Sequence, residues 1–189
     1  MINIGFIGTG LMGLPMAKNI FKSGYKLIAY NRSKEKLEPL KKCGVQIGSS
    51  IGYLVSSSEV VITMLTDDKA VDEVIGSKEF IDNLKAGSIV VDMSSTKPTT
   101  AINHSNKLKL KNIDFLDAPV SGGTIGAKEA SLAIMVGGEQ SVFNKVNKIL
   151  KTMGNPTLVG PSGSGQVSKL ANQIIVGLTI GAVAEAVTL

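Results

Sequence analysis

Short, unbroken apolar runs alternate with longer amphipathic stretches along most of the chain. Residues 2–7, 27–30, 60–64, 89–92 and 115–117 lack the polar alternation of a half-exposed strand, so they predict strands buried on both faces of a parallel sheet. Between them, residues 12–22, 34–42, 69–75 and 98–108 carry helical periodicity, each stretch long enough to cross over between parallel strands. A further strand at residues 132–136 runs into Gly137-Gly138, and a helix over 140–152 follows. After Pro156 come a short strand at 157–159, a breaker-rich turn at 161–165, and a helix from about Gln166 that continues to the last residue without a capping signal. The polar stretch 103–112 predicts an exposed helix end and loop. The class is α/β and doubly wound.

Composition narrows the setting. The chain has 189 residues, 43% hydrophobic and 19% charged, which suits one domain of about 100–150 residues with an appendage. The division expected is residues 1–162 as one domain and 163–189 as the start of a long helix. Cys43 is the single cysteine, and residues 1–8 lack the basic start and long apolar run of a signal peptide, so a cytoplasmic setting is expected. The apolar stretch 174–189 is interrupted by Thr179 and Glu185, and on that basis no membrane crossing is expected. The net charge of +5 comes from scattered lysines, with only 4% aromatic residues, so nucleic acid is not an expected partner. No grouping of Cys, His and carboxylates has metal-ligand spacing, and no metal is expected. Arg32 is the one arginine in the sequence, which singles that position out from generic surface charge.

The first strand runs directly into Gly8-Thr9-Gly10-Leu11-Met12-Gly13, and a helix opens there. In a Rossmann-type fold the first glycine of such a loop permits a tight turn, the second lets backbone approach a pyrophosphate, and the third lets helix pack on strand. Dinucleotide sites that prefer NAD place an acidic residue at the end of the second strand, where it binds the ribose 2′-hydroxyl. Here the strand ends in Asn31-Arg32-Ser33. A guanidinium fork and a hydroxyl suit a 2′-phosphate, so NADP is favoured over NAD; the other reading is that Ser33 caps the next helix beside an exposed Arg32, and the two are compatible.

Two further segments carry candidate chemistry. Asp117-Ala118-Pro119-Val120-Ser121-Gly122-Gly123 follows a strand end on the side where open α/β sheets bind ligands. It reads either as an anion nest for a substrate carboxylate or as an ordinary glycine-rich turn. In the last helix Lys169, Asn172 and Gln173 share a face. Lys169 sits among Val167, Leu170, Ala171 and Ile174, where a partly desolvated ammonium becomes a proton donor to a substrate oxygen; position alone would make it a surface lysine. His104, in a polar helix, reads as a surface residue, and Asp67 and Asp68 as caps of the next helix.

Together with Thr63-Met64-Leu65, Asp92-Met93-Ser94-Ser95-Thr96 and Ile134-Met135-Val136-Gly137-Gly138, these segments resemble the β-hydroxyacid dehydrogenase family. That family includes 3-hydroxyisobutyrate dehydrogenases, tartronate semialdehyde (2-hydroxy-3-oxopropionate) reductases and glyoxylate/succinic semialdehyde reductases. The resemblance spans nearly the whole chain in the family's order. It implies Lys169 as general acid/base, Ser121, Gly122 and Gly123 as carboxylate binders, and Asn172 or Gln173 as the group that orients substrate. It also implies Met64, Leu65 and Thr96 on the nicotinamide side, beside the dinucleotide contacts of Gly8, Gly10, Leu11, Met12, Gly13, Asn31, Arg32 and Ser33. The run Lys169 to Gln173 is most similar to the tartronate semialdehyde reductases, whereas Asn31-Arg32-Ser33 resembles the glyoxylate/succinic semialdehyde branch. Ala130 stands where many relatives have glycine.

The expected function is an NADP-dependent oxidoreductase that moves hydride between nicotinamide and a small 3-hydroxy acid or its semialdehyde, with a small carboxylate as substrate. A glyoxylate/succinic semialdehyde reductase and a non-catalytic NADP-binding module are the alternatives. The last helix is apolar on nearly every face, so it needs a partner. The resemblance implies an all-α domain packed on it, and a homo-oligomer through this helix is also expected.

Overall fold

The computed structural model describes residues 2–189. Among them a nine-stranded sheet forms the centre, with helices on both faces. The first half contains β1 (Asn3–Ile7), α1 (Gly13–Lys22), β2 (Lys26–Tyr30), α2 (Glu38–Lys41), β3 (Gln46–Ile47), α3 (Ile51–Ser56), β4 (Val60–Thr63), α4 (Asp68–Ile75), α5 (Lys78–Asn83) and β5 (Ile89–Asp92). The second half contains α6 (Pro98–Lys109), β6 (Asp114–Asp117), β7 (Val120–Ser121), α7 (Gly123–Glu129), β8 (Leu132–Gly137), α8 (Gln140–Leu150), β9 (Gly154–Gly160) and α9 (Ser164–Thr188). The strand order is β3-β2-β1-β4-β5-β6-β8-β7, with β9 paired to β8.

Strands β3 to β6 are mutually parallel, and the direction reverses where β6 meets β8 through the pair Asp117 and Gly137. Alternate residues feed opposite faces. Phe6 and Ile62 join one buried cluster with Met16 and Ile20 of α1 and Phe143 and Val146 of α8. Ile7 and Val61 join the other, with Leu54 of α3, Val71 of α4 and Leu108 of α6. Covering on both faces is why the strand sequences read as continuous apolar runs.

Several expectations are corrected. The helix expected over 34–42 is a 3-10 turn, Lys34–Leu37, followed by α2. Pro39, which has no N–H to donate, sits in the first turn of α2 and restarts the helix there. The short elements β3, α3, α5, β7 and α7 were not expected. His104 is not at the surface: it is 3% exposed, and its Nε2 lies 2.8 Å from Asp72 Oδ1. Asp67 caps α4 by accepting from Ala70 N at 2.8 Å. Asp68 instead ties α4 to α6, accepting from Lys97 N and Thr100 Oγ1.

The last helix starts two residues earlier than expected and runs for 25 residues, so by length and composition it reaches what a membrane crossing needs. The interruptions at Thr179 and Glu185 do not lower its mean hydropathy enough to exclude one. Beyond its first turns α9 stands free of the domain. Ile174, Ile175, Leu178, Ile180, Val183 and Val187 are all more than half exposed.

Candidate active site

The loop after β1 shows why its glycines are needed. Gly8 has a φ of +99°, and a Cβ there would strike the carbonyl of Met64. A Cβ on Gly13 would strike the carbonyl of Gly8, so the third glycine allows helix and loop to touch. At Gly10 a Cβ would meet nothing within 4 Å, leaving open space over the loop for a phosphate to reach the backbone. No side chain caps the start of α1 and no acid lies in its first turn, so the end of the helix dipole is unneutralised. Leu11 is 85% exposed beside it.

Asn31 braces this loop. Its Oδ1 accepts from Thr9 N at 2.9 Å and its Nδ2 donates to the Ser33 carbonyl at 3.0 Å, so the side chain is engaged by protein. Ser33 precedes the 3-10 turn but makes no capping bond. The expected cap is absent, and its hydroxyl stays available beside exposed Arg32. A groove of about 340 Å³ runs past Tyr30, Arg32, Lys34 and Lys41. A second, of about 460 Å³, runs past Gly10 and Leu11 and is flanked by Lys18, Lys36 and Lys128. The phosphate loop is thus set between basic rims, and sequence reasoning passed over Lys18, Lys36 and Lys128 as three lysines among many.

On the far side of the loop lie the ends of β4 and β5. Met64 and Leu65 are half-buried, and Leu65 N donates to Ser94 Oγ at 2.8 Å. Asp92 is 1% exposed; its Oδ1 accepts from Thr63 Oγ1 at 2.8 Å and Ser94 N at 3.1 Å, while its Oδ2 has no partner. Burial pushes the Asp92 carboxyl above the usual carboxylate range, opposed by the bonds from Ser94 and Thr63. Thr96 is 6% exposed with no partner for its Oγ1, a buried polar atom without a protein ligand at the expected nicotinamide side.

The carboxylate loop and the lysine helix meet. Gly122 and Gly123 follow Ser121 with φ of +134° and +61°, backbone that side chains resist. Asn172 Nδ2 donates to Ser121 Oγ at 3.2 Å and approaches Gln173 Oε1 at 3.3 Å. Lys169, one turn earlier, is half-buried, and burial holds its pKa below the ordinary lysine value. Gln173 is exposed, so Asn172 rather than Gln173 is the amide that reaches the carboxylate loop.

The root of α9 is held by a residue the sequence reading left within its motif without a role. Asp117 is fully buried at the end of β6; its Oδ1 accepts from Gly163 N at 2.7 Å and its Oδ2 from Gln166 N at 3.0 Å. Burial raises its pKa, and those amides, with Gly165 N, pull it back down. A Cβ on Gly137 or Gly165 would collide with Asp117. A carboxylate directly after an apolar run, residues 89–91 and 115–116, was the signal for both Asp92 and Asp117.

Residues 3–168 match the family described as the NAD binding domain of 6-phosphogluconate dehydrogenase. The chain is 40% identical over 187 residues to the 2-hydroxy-3-oxopropionate reductase of Escherichia coli (strain K12), covering 98% of this chain and 64% of that protein. It is 36% identical over 188 residues to the mitochondrial 3-hydroxyisobutyrate dehydrogenase of Drosophila melanogaster, covering 99% and 58%. It superposes with a TM-score of 0.93 on the 3-hydroxyisobutyrate dehydrogenase of Mycobacterium tuberculosis solved with L-serine, at 30% identity, covering 98% and 64%. The chain thus spans 64% and 58% of the length of the two curated relatives. With its nicotinamide dinucleotide loop, mostly parallel sheet and long last helix, the chain belongs to the β-hydroxyacid dehydrogenase family, to the part of it that binds NAD(P).

Proposed function

We propose that the protein is an NADP-dependent oxidoreductase acting between a small 3-hydroxy acid and its semialdehyde. The observation that carries this reading is the bond from Asn172 Nδ2 to Ser121 Oγ, 3.2 Å, which sets the carboxylate loop against the helix of Lys169. The residues fit the cofactor: open space over Gly10, an uncapped start of α1, and an unpartnered Thr96 Oγ1. The amides at Gly10, Leu11, Met12 and Gly13 would hold the pyrophosphate, Arg32 and Ser33 the 2′-phosphate, and Met64, Leu65 and Thr96 the nicotinamide side. When bound, the nicotinamide supplies or accepts a hydride at the substrate carbon.

The protein's own residues do the rest. Ser121, with the backbone of Gly122 and Gly123, binds the substrate carboxylate, and the Asn172 amide orients the substrate oxygen beside it. The Lys169 ammonium donates its proton to that oxygen in reduction and takes the hydroxyl proton in oxidation. Its lowered pKa brings the proton nearer to transfer at neutral pH. The free faces of α9 pack against further helices rather than lipid, because its first turns carry Lys169 and Asn172 to the carboxylate loop. Residues 1–162 then form the dinucleotide domain and 163–189 the start of that helical packing, through which copies of the chain associate.

The test is turnover by the full-length protein with NADPH and a panel of semialdehydes, and with NADP and the matching 3-hydroxy acids. Turnover with one member is expected. NADPH binding with no turnover across the panel would leave a non-catalytic binding module in its place.

A further inference from the structure

We propose that Gln166 is the positioning residue of this site, its carboxamide keying the Lys169 helix to the two loops on the nicotinamide side. The inference rests on the reading of Lys169 given above. Gln166 is completely buried in the first turn of α9. Its Oε1 accepts from Thr96 N at 3.0 Å and its Nε2 donates to the Ser94 carbonyl at 2.8 Å. A carboxamide offers one acceptor edge and one donor edge in a plane, so it joins these two backbone groups as a neighbouring strand would. Its own backbone N–H donates to Asp117 Oδ2, so side chain and main chain are fixed together.

Ser94 extends the link. It accepts from Leu65 N through Oγ and donates its own N–H to Asp92. An unbroken series of hydrogen bonds therefore runs from Leu65 through Ser94 to Gln166 and on through Asp117 to Gly163. Lys169 lies three residues beyond Gln166, the next position on the same face of the helix. Asp117 anchors the helix root to β6 but reaches neither loop. The Gln166 side chain alone supplies that connection in this series, and it fixes the rotation of the helix against Leu65 and Thr96. An apolar replacement would strand the Thr96 N–H and Ser94 C=O in a buried place.

The test compares Gln166→Leu and Gln166→Glu with the parent, by backbone hydrogen exchange and by kinetics on the full-length protein. In Gln166→Leu, exchange is expected to quicken at least about tenfold at Thr96 and also at Leu65, with kcat lower by about 10- to 100-fold and the NADPH Kd within about threefold. Gln166→Glu is expected to recover exchange protection and kcat, each relative to the parent at the same pH, as pH falls from about 8 to about 6, since burial raises the pKa of a carboxyl at this position and its protonated form again donates to the Ser94 carbonyl. Gln166→Leu should show no such recovery, and the Glu variant decides the matter if the Leu variant does not fold. Unchanged exchange at Leu65, kcat within about threefold of the parent, or NADPH binding lost in step with kcat in both variants would each overturn the proposal. Should the parent turn over nothing, the dehydrogenase reading fails, and the exchange measurements still decide whether Gln166 links the helix to the loops.

Discussion

Asn172 and Ser121 are 51 positions apart in sequence and 3.2 Å apart in space, joined by a bond from amide to hydroxyl. One lies half-buried on α9 and the other at the end of a two-residue strand, so their meeting defines where a carboxylate and a reacting oxygen would both fit.

Replacing Lys169 by Met should lower kcat by about 100- to 10,000-fold, the usual contribution of a general acid or base, with NADPH binding nearly unchanged. Burial lowers the pKa of Lys169, so the ammonium gives way to the amine below the ordinary lysine range. Reduction should therefore fall, and oxidation rise, as pH passes upward through that value. A Lys169→Met enzyme that keeps most of its kcat would return the lysine to the surface.

Arg32 is exposed and no carboxylate lies at residues 31–33. NADPH should bind at least about tenfold better than NADH, or about 1.4 kcal/mol. In Arg32→Ala that margin should shrink. Titrations that give equal affinities in the parent would refute the preference, and a margin untouched in Arg32→Ala would take the role from Arg32.

Ala130 ends α7 with φ +56° and ψ +36°, a left-handed conformation in which a Cβ is strained. Ala130→Gly should stabilise the fold by about 1 kcal/mol, the lower end of what a left-handed residue costs. That corresponds to a rise in Tm of about 2–4 °C for a chain of this size. A Tm at or below that of the parent would count against the strain.

Burial raises the pKa of Asp92, so the folded protein holds that proton to a higher pH than the unfolded chain does. Stability from this group is therefore present at low pH and declines as pH rises from the ordinary carboxylate range through the raised value. Urea midpoints of the parent at about pH 5 and about pH 8 should differ in that direction, and Asp92→Asn should narrow the difference. Asp117 is shifted the same way, so some slope remains. An equal slope in parent and variant would mean that Asp92 ionises as an ordinary carboxylate.

The 189-residue chain, with the apolar residues of α9 exposed, should self-associate in light scattering. Ile175→Glu together with Leu178→Glu, one turn apart on the same stretch, should return it to a monomer. A clean monomer from the parent would remove the helix as a contact between copies.

The sheet and its order of elements were legible because strands buried on both faces leave a continuous apolar mark, as residues 60–63 and 89–92 do. The loop at Gly8 to Gly13 and the helix of Lys169 were legible because glycine spacing and helical period are local. What escaped depended on partners far along the chain. Gln166 bonds to groups 70 and 72 positions away, and nothing in its own neighbourhood marks it as buried. His104 looked like a surface residue within a polar helix until Asp72, 32 positions earlier, was seen at its side. Short elements such as β7 and α3 are set by pairing and packing, with too few residues to show a period.

The root of α9 is pinned at Gln166, and the helix continues to Thr188, so it works as a lever with unequal arms. At about 1.5 Å per residue the far end is about 33 Å from the pivot and Lys169 only about 4.5 Å. A tilt of about 5° would carry Thr188 through about 3 Å and Lys169 through about 0.4 Å. A push on the far arm is therefore geared down at the root, moving the distal residues by about 3 Å while Lys169 hardly leaves its place.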